Sequence, residues 1–217
     1  MKVLTLILAS QSDSDFYTIE NGINKTWNSS ILEGVPTYYY FGNQRESHHD
    51  CSSIKVTCLE SYHLMGKRTI EAFEYCLNHF DFDYIFRTNI SSYVNKHNLF
   101  NWLRDKPRVN FASAVIGDYF GIKFLSGSGY SLSKDIVESL CKSKDDLDYN
   151  LVDDVCFGAH LGKLTALHPA PRVDCEHPSL LSDFDLSNFH FRCKTLNGDR
   201  ALDSKTMNLI HERFITS

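Results

Sequence analysis

Several short stretches of this sequence carry residue types and spacings that could do chemistry. Asp153 and Asp154 are adjacent acids near the start of an expected helix, where the macrodipole favours the carboxylate form. Acidic capping of a helix start is the ordinary reading of such a pair. Asp81-Phe82-Asp83 has D-x-D spacing, which suits a hard divalent cation. It lies at the amino end of an expected strand, ~20 Å from the far end of a six-residue extended run. Two solvated carboxylates at a helix-to-strand turn is therefore the preferred reading. Ser126-Gly127-Ser128-Gly129-Tyr130 is Gly-rich, and glycine lets a backbone approach a ligand closely; a plain tight turn is the alternative. His190-Phe191-Arg192-Cys193-Lys194 is a basic cluster, fit for an anion or for a solvated face. The neighbours His48 and His49 sit in a polar stretch and read as solvated rather than metal-bound.

These groups must be positioned by alternating strands and helices. Val3 to Leu8 is a continuous apolar run, the mark of a strand covered on both faces, and Ser10 to Asp15 can turn and cap a helix. Thr37–Phe41 and Ile54–Cys58 read as further strands, with a polar loop between them from Gln44 to Ser53. Ile70, Phe73, Leu77 and Phe80 share one stripe of a helix within Tyr62 to Phe80. Asp83 to Thr88 is the next strand, Asn95 to Leu103 a short helix and Phe111 to Ile116 another strand. Ser133 opens a helix carrying Ile136, Val137 and Leu140, and Asn150 can cap one carrying Val152, Val155, Cys156 and Ala159. The pattern predicts an α/β fold with a mixed, mostly parallel sheet flanked by helices, in one domain over residues 1–217 that could belong to a longer chain.

In such a sheet ligands sit at the carboxyl ends of the strands. After the first strand comes Ala9-Ser10-Gln11, without a G-x-G-x-x-G or a G-x-x-x-x-G-K-[ST], which argues against a standard dinucleotide fold and a P-loop NTPase. G-x-S-x-G and H-E-x-x-H are missing too.

The chain has 22 Lys and Arg against 27 Asp and Glu, a net charge of −5, which disfavours nucleic acid and a polybasic membrane tether. Aromatic residues reach 13%, common in well-packed domains and also suited to carbohydrate and nucleobase surfaces. Seven cysteines without a C-x-x-C read as buried reduced thiols rather than a disulfide set, favouring a reducing, cytoplasmic setting. The start, Met1 to Ser10, could pass for a signal peptide, but its apolar run is short and a buried strand explains it better. No stretch approaches the ~20 apolar residues of a membrane span.

Glu60-Ser61-Tyr62-His63-Leu64-Met65-Gly66-Lys67-Arg68-Thr69, a helix, and then Tyr84-Ile85-Phe86-Arg87-Thr88-Asn89-Ile90-Ser91-Ser92-Tyr93-Val94-Asn95 resemble the core of GT-A-fold nucleotide-sugar glycosyltransferases. The likeness is to the β-1,3-glycosyltransferase and fringe-like group and to short viral or bacterial surface-glycan transferases. There the segment reads approximately D-x-Y-x-N-L-x-x-K-T, helix, F-x-x-K-x-D-D-D-x-F-V. Ser126 to Ser133 is similar to that group's S-G-x-G-Y-x-L-S, and Val152-Asp153-Asp154-Val155-Cys156-Phe157-Gly158 to its E/D-D-V-x-x-G. The resemblance covers roughly residues 54 to 162.

The resemblance implies transfer of a sugar from a nucleoside-diphosphate donor, with UDP expected, to a glycan or glycoprotein acceptor. Asp154 would be the general base of an inverting reaction, with Asp153 beside it for acceptor or sugar hydroxyls; a retaining mechanism stays open. Ala9, Ser10, Gln11 and Tyr62 would hold the nucleobase. Lys67 is assigned to the motif's lysine, and Arg87, Thr88 and Asn89 follow the strand to its donor end. Ser126, Gly127 and Gly129 would lie beside donor sugar and acceptor, with His190, Arg192 and Lys194 folding over the diphosphate. A divalent metal, Mn²⁺ or Mg²⁺, would use Asn89, Ser91 and His190. Here the sequence departs from the family, because Asn89-Ile90-Ser91 carries no charge where the acidic motif belongs. Protein cations neutralising the diphosphate without a metal is the alternative. Two other functions stay in view. A sugar nucleotidyltransferase should have a Gly-rich basic loop after the first strand, which is missing; a non-catalytic nucleotide- or carbohydrate-binding module would suit the neutral Asn89-Ile90-Ser91.

Overall fold

A computed structural model describes residues 1–181 and 184–216. The first strand, β1 (Val3–Leu8), lies at the centre of an eight-stranded sheet. β2 (Thr37–Phe41) and β5 (Tyr84–Asn89) pair with it in parallel on either side, and β4 (Ser53–Lys55) extends the parallel run beyond β2. A two-residue β3 (His48–His49) closes that edge antiparallel to β4, both histidines exposed as expected. On the other side β8 (Ile122–Ser133) runs antiparallel to β5 and to β7 (Ala112–Tyr119), and β9 (Leu167–Pro169) pairs in parallel with β7.

Side chains alternate across a strand, and the sequence of β1 shows the result. Leu4 and Leu6 enter one core, Val3 and Ile7 the other. The first core is covered by α2 (Met65–His79), α4 (Lys134–Lys142) and α5 (Asp153–Leu164), through residues such as Phe73, Val137 and Phe157. The second is covered by α1 (Asp13–Thr18) with its π-helical continuation Ile19–Ile23, α3 (Lys96–Arg104) and α6 (Arg200–Thr216), through Ile23, Leu99 and Met207. A Cβ on Gly22 would sit 3.0 Å from the Met207 sulfur, so glycine lets α6 pack close against the π turn. Ser12 caps α1 by accepting from the Asp15 N–H, and Asn95 caps α3.

A second sheet places β6 (Ser92–Val94) between the end of β5 and the late chain: β11 (His190–Arg192) pairs with it antiparallel, and β10 (Val173–Asp174) joins β11 in parallel. Residues 190–192 are thus a paired strand, not a free loop.

Two local expectations change. The Gly-rich stretch is not a turn but the second half of β8, its glycines standing where side chains from other elements press on the strand. Helix α5 starts at Asp153 after Val152, so Asn150 is not its cap; the acids themselves fill its first turn. Six cysteines, 58, 76, 141, 156, 175 and 193, are buried, and Cys51 is exposed. No helix among the described residues is long and apolar enough to cross a membrane.

Candidate active site

The carboxyl ends of β1, β2 and β5 lie side by side. After β1, Ala9 is buried, and Ser10 gives its backbone N–H (2.8 Å) and hydroxyl (2.6 Å) to Asp15. Gln11 donates its backbone N–H to Glu60 Oε2 at 2.8 Å and its side-chain amide to the Gly42 carbonyl at 3.1 Å. Gly42 in turn donates to Glu60 Oε1 at 2.9 Å. One carboxylate therefore clamps the segments following β1 and β2 through charge-assisted bonds. A Cβ on Gly42 would stand 2.2 Å from the Cys58 carbonyl and 3.3 Å from Arg68 Cδ, so nothing larger than glycine fits.

Arg68 lies in the first turn of α2, buried behind this clamp. Its Nε and Nη1 have no hydrogen-bond partner, and Glu60 Oε1 is 3.8 Å from Nη1. A buried guanidinium with unmade hydrogen bonds is costly, and an anion brought to it would supply the acceptors. The expectation put the motif's lysine at Lys67. Counted from Tyr62 along D-x-Y-x-N-L-x-x-K-T, that position is Arg68; Lys67, about 100° further round the helix, is exposed. Tyr62 is also exposed, in the 3₁₀ turn that leads into α2.

Arg87 was expected among the donor-binding cations, but it is committed to the interior. Its Nε donates to the Tyr40 hydroxyl at 3.0 Å, Nη1 to the Gly127 carbonyl, and Nη2 to Asp153 Oδ2 at 2.8 Å. The guanidinium also stands 5.5 Å from the centre of the Tyr130 ring. Burial alone would weaken its charge; Tyr40 and Asp153 outweigh that, and the net effect is a more firmly protonated arginine. Asp153, expected near acceptor or sugar hydroxyls, is the buried counterion of Arg87 instead. Thr88 is buried as well, its hydroxyl spent on the Ser128 carbonyl at 2.6 Å.

Asp154 is different. It is half-buried, one carboxylate oxygen accepting the Gly127 N–H at 3.1 Å and the other the Val155 N–H at 2.9 Å. Burial raises its pKa and the adjacent Asp153 adds to the rise, while the Gly127 and Val155 donors oppose it; the balance is upward. A Cβ on Gly127 would fall 3.4 Å from this carboxylate and 3.3 Å from Arg87 Nη1. That glycine lets α5 bring its acid against β8.

Asn89 ends β5, with its Oδ1 accepting from the Ser91 N–H (3.1 Å) and the Ser92 hydroxyl (3.3 Å). Ser92 Oγ also reaches the Ser128 carbonyl at 3.1 Å. Adjacent residues of β8, Gly127 and Ser128, therefore tie down Asp154 and the end of β5. Asn89 and Asp154 are thus linked indirectly, through Ser92 and these adjacent residues of β8.

His190 is fully buried with Nε2 3.2 Å from Ser92 Oγ, and a Cβ on Gly129 would lie 2.5 Å from its ring. Burial, with Arg172 and Arg192 nearby, lowers its pKa to about 3, so it is a neutral packing residue rather than a lid. Arg192 faces Asp174 (3.8 Å) and Glu176 (3.6 Å), and Lys194 is exposed. Ser126 and Ser128 hydroxyls both accept from Arg172 Nη1 at 2.8 Å, a contact the sequence did not suggest. Asp81 and Asp83 lie at the opposite end of β5, Asp81 paired with Lys2 at 2.6 Å. A cavity of about 800 Å³ runs from Gln11 past Phe16, Tyr39 and Lys55 to Lys96; it adjoins the strand ends but includes neither Asn89 nor Asp154.

No family model matches the sequence, and neither does any curated protein at a significant level. Among solved structures, a glycosyltransferase involved in the glycosylation of the major capsid of PBCV-1 is similar at 11% identity and a TM-score of 0.62, over 96% of this chain and 100% of that one. The chain has a glycosyltransferase fold. The galactosyltransferase LgtC, solved with donor and acceptor sugar analogs, aligns over 98% of this chain and 96% of its own at 10% identity and a TM-score of 0.49. The alignment with the capsid glycosyltransferase carries the expected GT-A-like fold over nearly the whole chain. At such identities the shared property is architecture, and residue roles rest on the site itself.

Proposed function

We propose that the chain transfers a sugar from a nucleoside-diphosphate donor, UDP-linked, to a hydroxyl of a glycan or glycoprotein acceptor. The observation that carries this reading is Asp154: a half-buried carboxylate with a raised pKa, anchored to the same stretch of β8 as the end of β5. An acid in that setting is a stronger base than a solvated one, and it lies where an open α/β sheet binds ligands. The nucleotide is assigned to the clamp formed by Gln11, Gly42 and Glu60, with Arg68 supplying N–H groups to its phosphate oxygens. The similar PBCV-1 enzyme is involved in the glycosylation of the major capsid, which supports a glycoprotein-linked acceptor.

In the proposed step the acceptor oxygen attacks the anomeric carbon from the face opposite the diphosphate. Its proton passes to Asp154 as the new bond forms. The bond from the anomeric carbon to the diphosphate breaks, and the electron pair leaves with the phosphate oxygen. One displacement inverts the anomeric configuration.

A panel of UDP- and GDP-sugars, scored for released nucleoside diphosphate with mixed glycan acceptors, tests the reading. Asp154→Asn should lower turnover by about 10³-fold, within the range of general-base contributions, while nucleotide affinity changes less than about twofold. Wild-type turnover in the variant would remove Asp154 from this role. Donor binding without release for every acceptor would favour a binding module instead.

A further inference from the structure

The residues expected to hold a divalent metal do not suit one. Asn89 Oδ1 already accepts the Ser91 N–H at 3.1 Å and lies 3.3 Å from the Ser92 hydroxyl, whose one proton it shares with the Ser128 carbonyl. His190 is buried against Ser92 Oγ. Ser91 Oγ accepts from the guanidinium Nη1 of Arg200 and passes its own hydrogen to Asp203 Oδ2 at 3.2 Å. A dication on that oxygen would face a fixed positive charge across one atom, and the one carboxylate within reach of Ser91, that of Asp203, is already paired with Arg200.

We propose that Arg200, from the first turn of α6, is the group that neutralises the donor diphosphate where a metal would otherwise do so. The inference rests on reading the ends of β1 and β5 as the donor site. Two acids hold the guanidinium in place. Asp203 is completely buried; its Oδ1 accepts the Thr195 N–H at 2.8 Å and its Oδ2 pairs with Arg200 Nη1 at 3.0 Å. Asp15 Oδ1 stands 3.9 Å from Nη2, while the other oxygen of Asp15 secures Ser10 after β1. Arg200 therefore spans the segment after β1 and the segment after β5.

What remains free is the useful part. Among the described residues Nε and Nη2 make no hydrogen bond, and the side chain keeps 28% of its surface exposed. Nε and Nη2 form the side-on edge of a guanidinium, the edge that takes two phosphate oxygens together. Asp203 and Ser91 use the other nitrogen, Nη1, and Asp15 stands off Nη2 beyond hydrogen-bond distance. Arg68 lies behind the clamp that joins the segments after β1 and β2, so the two arginines lie on either side of the β1 end. They share the four donors named here without hydrogen-bond partners: Nε and Nη1 of Arg68, and Nε and Nη2 of Arg200.

Calorimetric titration of UDP, with GDP as a second probe, tests this in EDTA and again in Mn²⁺. Wild-type affinity should agree within about twofold between the two buffers, an arm that needs no variant. Arg200→Gln should weaken UDP by about 10- to 100-fold, the range for hydrogen bonds to charged groups, and leave uridine affinity unchanged; Arg200→Lys should recover part of the loss. Melting curves of both variants confirm that α6 still packs. UDP binding that needs Mn²⁺, or equal UDP affinity in Arg200→Gln, overturns the role of Arg200 while the donor-site reading stands. If neither UDP nor GDP binds the wild type in either buffer, the donor-site reading fails and Arg200 falls with it.

Discussion

Arg87 and Arg68 are both buried arginines on the same side of the sheet, yet their surroundings are opposite. Arg87 has a partner for each nitrogen, in Tyr40, Gly127 and Asp153, and a ring beneath it in Tyr130. Arg68 has a carboxylate 3.8 Å away and two nitrogens without a hydrogen-bond partner. The first arrangement is finished within the protein, and the second is completed only by something added. A fold can bury the same side chain as a fastener or as a receptor, and the count of satisfied N–H groups separates the two.

The largest test of this contrast is at Arg87. Arg87→Met leaves Asp153 as an unpaired buried acid, and breaking such a pair costs about 3–5 kcal/mol. Chemical unfolding should therefore lose much of the stability of the domain. Adding Asp153→Leu removes the orphaned charge as well and should restore most of the loss. A stable Arg87→Met single variant would mean that the pair is not the fastener described here.

At Arg68 the expected effect moves from stability to binding. Arg68→Met should cost less stability than Arg87→Met, because it removes a desolvated charge with unmade bonds and leaves Glu60 still accepting the Gln11 and Gly42 N–H groups. Nucleoside-diphosphate affinity should fall about 10- to 100-fold. Lys67→Ala, on the exposed face of the same helix turn, should alter both by little. If Lys67→Ala abolishes binding and Arg68→Met does not, the motif register returns to Lys67 and the contrast between the two buried arginines is lost.

This pair also explains what could be read in the sequence. Central strands were legible because β1, β2 and β5 are unbroken β-rich apolar runs, which only a sheet covered on both faces accommodates. The acid pair was legible by its motif, but which acid is spent on a buried ion pair was not: Asp153 meets Arg87, a partner 66 residues away, and Asp154 only backbone N–H groups. Strand β8 was hidden by Gly127 and Gly129, which read locally as a turn; Gly129 is required because the His190 ring presses on the strand, and Gly127 lies in close contact with Arg87 and Asp154. Helix α6 was hidden because its buried face carries Asp203, Ser204 and Thr206 beside Met207 and Ile210, leaving little apolar periodicity. Arg200 had no signal at all, since its meaning depends on contacts with Ser91 and Asp15 that only the folded chain makes.

His190 gives the smallest test, on the finished side of the contrast. In the unfolded chain an imidazole titrates near 6.5, whereas burial holds that of His190 at about 3. Between these values the unfolded state takes up a proton that the folded state refuses, so acid favours unfolding. The contribution of this residue is fully present above about pH 6.5 and is lost as pH falls toward 3. By pH 5 it should have removed about 2 kcal/mol relative to pH 7, at 1.36 kcal/mol per unit below 6.5. His190→Gln has no proton to gain and keeps an amide nitrogen for Ser92. Its absolute stability is lower, but the part of the pH 5 to 7 slope due to this site should disappear. An unchanged slope would mean that the ring is protonated in the folded state, with water or an acid reaching the pocket between Ser92 and Gly129. His190 would then belong with Arg68, among the groups that still have room for a partner.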